Sequence, residues 1–599
     1  MEAKNNWKLL LIFCLAGAFL YVFPLLLANK YYSDDMLRYT TGLDWSMDGR
    51  PLSSIIMKLL SGGEKVKDLF PYTTILGAFL ISLGGYFIAL VLELEKNKTL
   101  KYSSFLLLVS PLMIENLSYR YDVFAMGLSV IFVTIPFLWK DNFKKFMFFS
   151  VLGVYATLLT YQASVVIYVL LALTVLIKYC FEEQSKKVLS QLAYFVLPVI
   201  LGYILTLLTS KVFSLDYGGR DKTVFSDNFS ENISNNWNAI TNLLGFVFKS
   251  IHYSIFFVTL LIVLLYGLIR FVREKNIALS NKLLGLLFLT SVPFVVVSIP
   301  LLLEKTFIAP RIFISFSFLV YVSLIFINRY RPKLTAVFSV FYILIALPLM
   351  ASYTKYLNEQ NDFQELVVLD IMSNVDIDNK QIVFDGELPI SEYSELSINN
   401  YVFVRWLYVN FLGNENFMLK EYFMSKINNL HSPVFLKAEE RQELLSRKNE
   451  IPIVHKTNYY YVRSDAKSIL IDFNKQGIKS VDLNAVEFSE EIVYGIDSFA
   501  VDSEAVNIRG FAFYEKLSSE DSKIEIIFIK DNENAFVSEL LKEKRKDVSD
   551  YFKGNYDDSG FYNNFNLSEF PKGNYKVGVL VRNKNDEKYN LIDKTFSVE

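Results

Sequence analysis

Residues 31–60 read YYSDDMLRYTTGLDWSMDGRPLSSIIMKLL and follow directly on the first long apolar run of the chain, residues 9–28. Two adjacent carboxylates, Asp34 and Asp35, therefore stand just beyond a stretch of about the 20 residues that cross a bilayer. Arg38 and Trp45 follow, and Gly49-Arg50-Pro51 opens a short helix. In it Leu52, Ile55, Ile56, Leu59 and Leu60 fall at i, i+3, i+4, i+7 and i+8 and so share one face. Pro51 suits the first helical position and Gly62-Gly63 its end. Such a helix lies flat in the membrane interface. A solvated acid pair, an arginine and an interfacial helix in one loop have the makings of a reaction site at the bilayer surface.

The rest of the chain gives that loop its setting. Of 599 residues 52% are hydrophobic, and nearly all the long apolar runs lie before Ala351. After residues 9–28, spans are expected at 71–92, 102–114, 123–139, 146–160, 163–177, 188–208, 253–271, 283–303, 312–327 and 334–350, about eleven in all. Residues 9–28 read as an uncleaved anchor, because many similar spans follow and Asn29-Lys30 is a poor processing site. Alternate connections carry Lys96, Lys98 and Lys101, then Lys140, Lys144 and Lys145, then Lys178, Lys186 and Lys187. Later ones carry Arg270, Arg273, Lys275 and Lys282, and then Arg329, Arg331 and Lys333. Positive charge marks the cytoplasmic side, so the N-terminus is expected inside. The opening loop and everything after residue 350 are expected outside.

The outer loops hold further ionisable groups at span ends: Glu115, Arg120, Asp122, Glu304, Lys305 and Arg311. Charge at membrane depth is costly and faces a cavity or a partner, so these groups and the acid pair are expected to share one polar cavity. The 210–251 loop, with Tyr217-Gly218-Gly219-Arg220 and Trp237, reads equally as a substrate lid or a passive connector. A net charge of -2 argues against a nucleic-acid partner. The two cysteines, Cys14 and Cys180, and the three histidines, His252, His431 and His455, match no disulfide framework or zinc spacing. Three domains are expected: a membrane domain at 1–350, an extracytoplasmic α/β domain at 351–485, and a β-sandwich at 490–599. In the sandwich, short alternating runs recur between turns near 518–521, 532–534 and 583–587. Tyr556, Phe561 and Tyr562 are candidate aromatics for binding glycan there, although such aromatics are more often structural.

The order Asp34-Asp35, Arg38, Trp45, Gly49-Arg50-Pro51-Leu52 resembles the start of the polytopic glucosyltransferases that modify bacterial O-antigens in serotype conversion. Pro111, Glu115, Tyr119-Arg120-Tyr121-Asp122 and Pro310-Arg311 resemble later blocks of the same family. The resemblance covers roughly residues 1–385 and leaves the sandwich out. It implies a fold similar to the GT-C glycosyltransferases: a polytopic α-helical enzyme of the bacterial plasma membrane with an essential acid in its first extracytoplasmic loop. It further implies a polyprenyl-phosphate sugar as donor and a surface polysaccharide as acceptor. Some GT-C members use a divalent metal and others none, so the resemblance leaves a cofactor open. The family pair is often Asp-Glu; here it is Asp34-Asp35, and position favours Asp34.

The chemistry fits the residues without the family. An ionised Asp can take the proton of an attacking hydroxyl as general base, and single displacement with one base inverts the anomeric centre. Arginine forks match phosphate oxygens, which makes Arg38, Arg50, Arg120 and Arg311, with Glu115 and Asp122 beside them, the candidate donor-binding set. No Gly-rich phosphate loop or dinucleotide fingerprint is placed to hold a nucleotide sugar. The runner-up is a polysaccharide polymerase or ligase, which would take a lipid-pyrophosphate oligosaccharide instead. A transporter would show charged or broken helices at mid-membrane and repeated halves, and neither is evident. The orientation is testable at once: a reporter active only outside the cytoplasm, fused after Met350 or Glu599, should be active. Activity of a cytoplasm-only reporter there would reverse the assignment.

Overall fold

A computed structural model of the chain describes residues 2–94, 100–182, 185–215, 229–304, 308–399, 401–413 and 416–428, and most of 431–598. Lys96, Lys98, Lys305, the Tyr217-Gly218-Gly219-Arg220 stretch and most of the turns expected in the sandwich lie outside the described residues. Among the described residues eight helices are long and apolar enough to cross a membrane: Leu10–Ala28, Tyr72–Val91, Gln162–Phe181, Ser190–Phe213, Ile251–Arg273, Leu279–Val296, Pro310–Tyr330 and Pro332–Asn374. Helices are the form such runs must take, since hydrocarbon offers the backbone no partner. The protein is a polytopic membrane protein.

Three of the eleven expected spans fall on other elements. Residues 123–139 form the helix Val123–Thr134 with a tighter continuation at Ile135–Trp139, and residues 146–160 lie mostly in Phe143–Leu158. Residues 102–114 do not form one helix at all. A single turn at Leu100–Ser103 gives way to irregular backbone before the helix Met113–Ser118. That backbone is buried in protein, with Leu106, Leu107 and Leu108 fully covered. Side chains of the neighbouring helix Phe318–Tyr330 and the residue before it satisfy it: Tyr321 donates its hydroxyl to Ser103 O (2.9 Å) and Ser317 to Leu106 O (2.6 Å). Non-helical chain at membrane depth is tolerated where protein supplies the missing partners. Hydropathy cannot tell such a run from a lipid-facing one.

The connections gather into two polar ends. At one, Lys178 pairs with Glu93 (2.6 Å), Arg329 with Glu274 (2.7 Å), and Asn328 donates to Glu93 O. At the other, the 29–50 loop meets residues 119–122, 161–162 and 311. Basic-loop alternation is thus reproduced as a separation in space.

A second departure is the last helix. The apolar run at 334–350 and the helix expected from 351 onward are one element, Pro332–Asn374, 43 residues with Pro348 inside. At 1.5 Å per residue it is about 65 Å long, roughly twice the hydrocarbon thickness, so its second half stands beyond the apolar layer. That half buries Gln360, Gln364, Val367, Val368 and Ile371 and carries the mixed part of the chain up to residue 455. Gln364 Oε1 accepts from the backbone of Phe411 (2.6 Å) and Leu412 (3.3 Å), and Gln360 Oε1 from Ser391 (3.0 Å). Strand Gln381–Asp385 pairs in parallel with Val434–Phe435. Helix Leu419–Ile427 packs on the short helix Asp35–Thr41, which brings this region to the loop that opened the sequence.

The chain divides into two compact units, Met1–His455 with Ser464–Leu470, and Lys456–Arg463 with Ile471–Glu599. The second is strand-rich. A six-stranded sheet built around Lys523–Lys530 and Gly573–Arg582 faces a four-stranded one centred on Gly560–Asn566 and Ala505–Tyr514. Val506, Ile508, Ile526, Phe528, Phe565 and Val579 fill the space between them. Two of the three aromatics weighed as glycan contacts are core residues, the structural alternative. Phe561 points between the sheets, and Tyr556 stacks on Phe513 with ring centres 3.9 Å apart. Only Tyr562 is exposed. Period-2 alternation says that a strand has two faces, not which one a second layer covers.

The closest helix pairing in the membrane unit, Tyr72–Val91 against Val123–Thr134, turns on glycine. A Cβ on Gly77 would lie 2.6 Å from Val123 O. Gly77→Val should therefore lower the thermal midpoint in detergent by an amount matching about 1–3 kcal/mol of overpacking, without altering the polar end chemically.

Candidate functional site

The 29–50 loop is held by its own carboxylates. Asp34 precedes the helix Asp35–Thr41, and the two neighbouring acids part company there. Asp35 turns inward and is fully buried. It accepts from the backbone N–H of Arg120 (2.9 Å) and more weakly of Tyr121 (3.4 Å). Burial, with Asp122 nearby, holds its carboxyl well above the usual Asp range, although the Arg120 N–H works the other way. The expectation of a solvated acid pair is thus corrected for Asp35: it ties the loop to residues 119–122. Asp34 is partly open, and its Oδ1 has no hydrogen-bond partner among the described residues.

The helix Pro51–Ser61 forms as its sequence requires, with Pro51 first and Gly62 in the left-handed conformation (φ 68°) at its end. It is apolar outward. Ser53, Ser54, Met57 and Ser61 face the protein, while Ile55, Leu59 and Leu60 are exposed. Ser53 donates to Thr160 O (3.2 Å), and Ser54 Oγ accepts from the Trp45 backbone (3.0 Å). The helix is thus bedded on protein with its hydrophobic face exposed, the pattern of an interfacial helix, and it sets Gly49-Arg50 at the edge of the charged cluster.

In that cluster Arg38 is buried, with carboxylate oxygens of Asp34 and Asp48 at 3.5 Å and of Asp122 at 3.6 Å. Burial opposes its charge, but these carboxylates outweigh that and keep it protonated. Its guanidinium lies 4.5 Å from the centre of the Trp45 ring. Asp122 Oδ1 accepts from Trp45 Nε1 (2.7 Å) and Arg50 Nη1 (3.3 Å). Burial pushes the Asp122 carboxyl up against the pull of Arg38. Arg50 is further held by Gln162 Oε1 (3.2 Å) and sits over Tyr161. Arg311 sits over Tyr119, and its backbone N–H donates to Glu115 Oε2 (2.7 Å). Burial raises the Glu115 carboxyl, and Arg311 limits the rise.

A polar cavity of about 20 Å³ lies among Asp34, Asp48, Arg50, Asp122, Tyr161 and Arg311. That is room for about one water, not a sugar ring. Of the expected site residues, Asp34, Arg50, Asp122 and Arg311 line it, while Arg38 and Glu115 stand behind it. Arg120 is turned elsewhere: it donates to Asn29 Oδ1 (2.7 Å), Lys30 O (3.1 Å) and Asp68 (3.2 Å), between the rings of Tyr31 and Phe70. Asp48 is an addition that single-sequence reading did not weigh, since a lone acid in a 3-10 turn carries no pattern; the Tyr161-Gln162 turn was expected among the cavity-forming loops but given no site role. Among the described residues no His, Cys, Asp and Glu side chains converge as a set of three metal ligands; the arginines interleave the acids.

Asp35 gives a pH test. A carboxyl raised in the folded state favours folding fully below its ordinary value near 4, and that contribution is lost as pH rises through the folded value. Asp35→Asn keeps an acceptor for Arg120 and cannot ionise. Its thermal midpoint relative to the parent should therefore improve from pH 5 to pH 8; a constant difference would mean that Asp35 is not held neutral.

Residues 23–322 match the family model described as Glucosyl transferase GtrII. The chain is 25% identical over 437 residues to a protein of Salmonella phage P22 described as an uncharacterized 55.3 kDa protein in the gtrB 5′ region. That alignment covers 69% of this chain and 89% of the phage protein. No solved structure matches. The matched half holds every residue of the cavity, and the chain belongs to the GtrII glucosyl transferase family, a family of glycosyltransferases.

Proposed function

We propose that the protein moves a hexose, glucose by its family, from a polyprenyl-phosphate sugar to a cell-surface polysaccharide at the outer face of the bacterial plasma membrane. The observation that carries this reading is Asp34: a carboxylate with one unpartnered oxygen, facing Arg50 and Arg311 across a polar cavity at one end of a membrane-spanning bundle. The basic loops 178–187, 270–282 and 329–333 orient that end outward, where nucleotide sugars are scarce. The exposed Ile55, Leu59 and Leu60 keep the cavity edge at lipid level.

The transfer balances with these groups. Asp34 takes the proton of the acceptor hydroxyl, the freed oxygen bonds to the anomeric carbon, and the carbon–oxygen bond to phosphate breaks. The lipid phosphate leaves with the electron pair, met by Arg50 and Arg311. One displacement inverts the anomeric centre. Because the cavity is smaller than a sugar ring, it must widen to admit the substrate.

Purified protein should transfer glucose from polyprenyl-phosphate glucose and ignore nucleotide sugars. Asp34→Asn should lower the rate by about 10²–10⁴-fold, the usual cost of losing a general base, with membrane insertion intact. Asp44→Asn is the control: its carboxylate pairs with Lys58 outside the cavity and should matter little. Efficient transfer from a nucleotide sugar alone, or full activity of Asp34→Asn, would defeat the reading.

A further inference from the structure

Two carboxylates line the same cavity, and their surroundings differ. Asp34 Oδ1 has no hydrogen-bond partner among the described residues. Asp122 is anchored through Oδ1, which accepts from Trp45 Nε1 (2.7 Å) and Arg50 Nη1 (3.3 Å), while its Oδ2 lies 3.6 Å from Arg38 Nε with no hydrogen bond among the described residues. Its own position is set from behind, where Asp35 accepts from the backbone of Arg120 and Tyr121, the two residues before it. Trp45, its neutral partner, is fully buried.

We propose that Asp122 is a positioning residue, which aims Arg50 at the donor phosphate and holds Arg38 beside Asp34 without itself touching substrate. The proposal rests on Asp34 as the base and deepens that reading by dividing the work between the two acids. A guanidinium on a flexible stem is useful to a developing phosphate only if its direction is fixed beforehand. Arg50 has two such constraints. Asp122 pulls at Nη1, and Gln162 holds Nε at 3.2 Å while donating to Gly49 O (3.4 Å). Removing the Asp122 charge leaves one.

Asn at 122 can still accept from Trp45 but cannot pair with Arg50 and Arg38. Asp122→Asn should therefore lower donor kcat/KM by up to about 100-fold, the scale of a mispositioned contact, chiefly through a higher donor KM and with turnover surviving. Asp122→Glu should recover part of it. Trp45→Phe removes only the indole donor and should give the same KM-dominated pattern more mildly. A merely structural role would lower the thermal midpoint and leave donor KM unchanged; that result overturns the proposal. Asp122→Asn that folds normally yet abolishes kcat overturns it too, by making Asp122 the base. If Asp122→Asn does not fold, Trp45→Phe decides alone: an unchanged donor KM overturns the proposal and a raised one supports it. Failure of the underlying reading looks different, because it appears as an active Asp34→Asn whatever the Asp122 variants do.

Discussion

Arg38 lies buried with the carboxylates of Asp34, Asp48 and Asp122 within 3.5–3.6 Å and the Trp45 ring beneath it. Each of those ions alone would cost several kcal/mol to remove from water. Held together they are mutually compensating, and the geometry that compensates them joins two pieces of chain that hydropathy alone would leave apart. Arg38 and Asp48 come from the first loop, and Asp122 from a turn more than seventy residues later. Removing one carboxylate weakens the compensation of a buried cation but leaves two others, and the cluster fixes the loop rather than decorating it. Asp35 adds a second fastening through backbone N–H groups, which depends less on charge. Asp34 pairs with Arg38 through Oδ2 and leaves Oδ1 without a hydrogen-bond partner among the described residues.

The same economy runs through the membrane unit. The irregular backbone between Leu100–Ser103 and Met113–Ser118 is affordable only because Tyr321 and Ser317 reach its carbonyls. Its burial leaves Met113–Ser118 to deliver Glu115 and Asn116 to the polar end. There Asn116 and Tyr161 both donate to Arg311 O, at 3.2 and 2.8 Å, and Glu115 accepts the Arg311 N–H. A broken segment, a turn and a helix start are thereby locked around one arginine.

Much of this was legible from residues alone, for identifiable reasons. Long apolar runs report on a solvent boundary, so the polytopic class followed directly, as did the meeting of the 29–50 loop with residues 119–122, 161–162 and 311. The helix Pro51–Ser61 was marked by its Pro and Gly ends. What escaped was whatever depends on which face meets protein. Residues 102–114 look like a span because burial in protein and burial in lipid select the same side chains. Asp34 and Asp35 read as equals, since adjacency says nothing about which one turns inward. The helix Pro332–Asn374 continues through the hydropathy drop at residue 351 because its hydrogen bonds are local and indifferent to the change of solvent. Phe561 could be read as a glycan contact or as core because strand alternation does not name the covered face.

The four arginines make the same point about function. In the sequence Arg38, Arg50, Arg120 and Arg311 are interchangeable candidates for a phosphate. In the fold their partners separate them. Arg120 is spent on Asn29, Lys30, Asp68 and two aromatic rings, and Arg38 on three carboxylates; both are 5% exposed at the side chain. Arg50 and Arg311 keep about four times that exposure, 18% and 21%, and each lies over a tyrosine ring with its rim toward the cavity residues. A guanidinium buried among its partners would have to break an ion pair to take a phosphate, and burial makes that pair costly to break. One that is stacked and partly open can add a phosphate at little cost. The division therefore follows from accessibility rather than residue type, which is why the roles proposed for Arg50 and Arg311 rest on the fold and not on the motif.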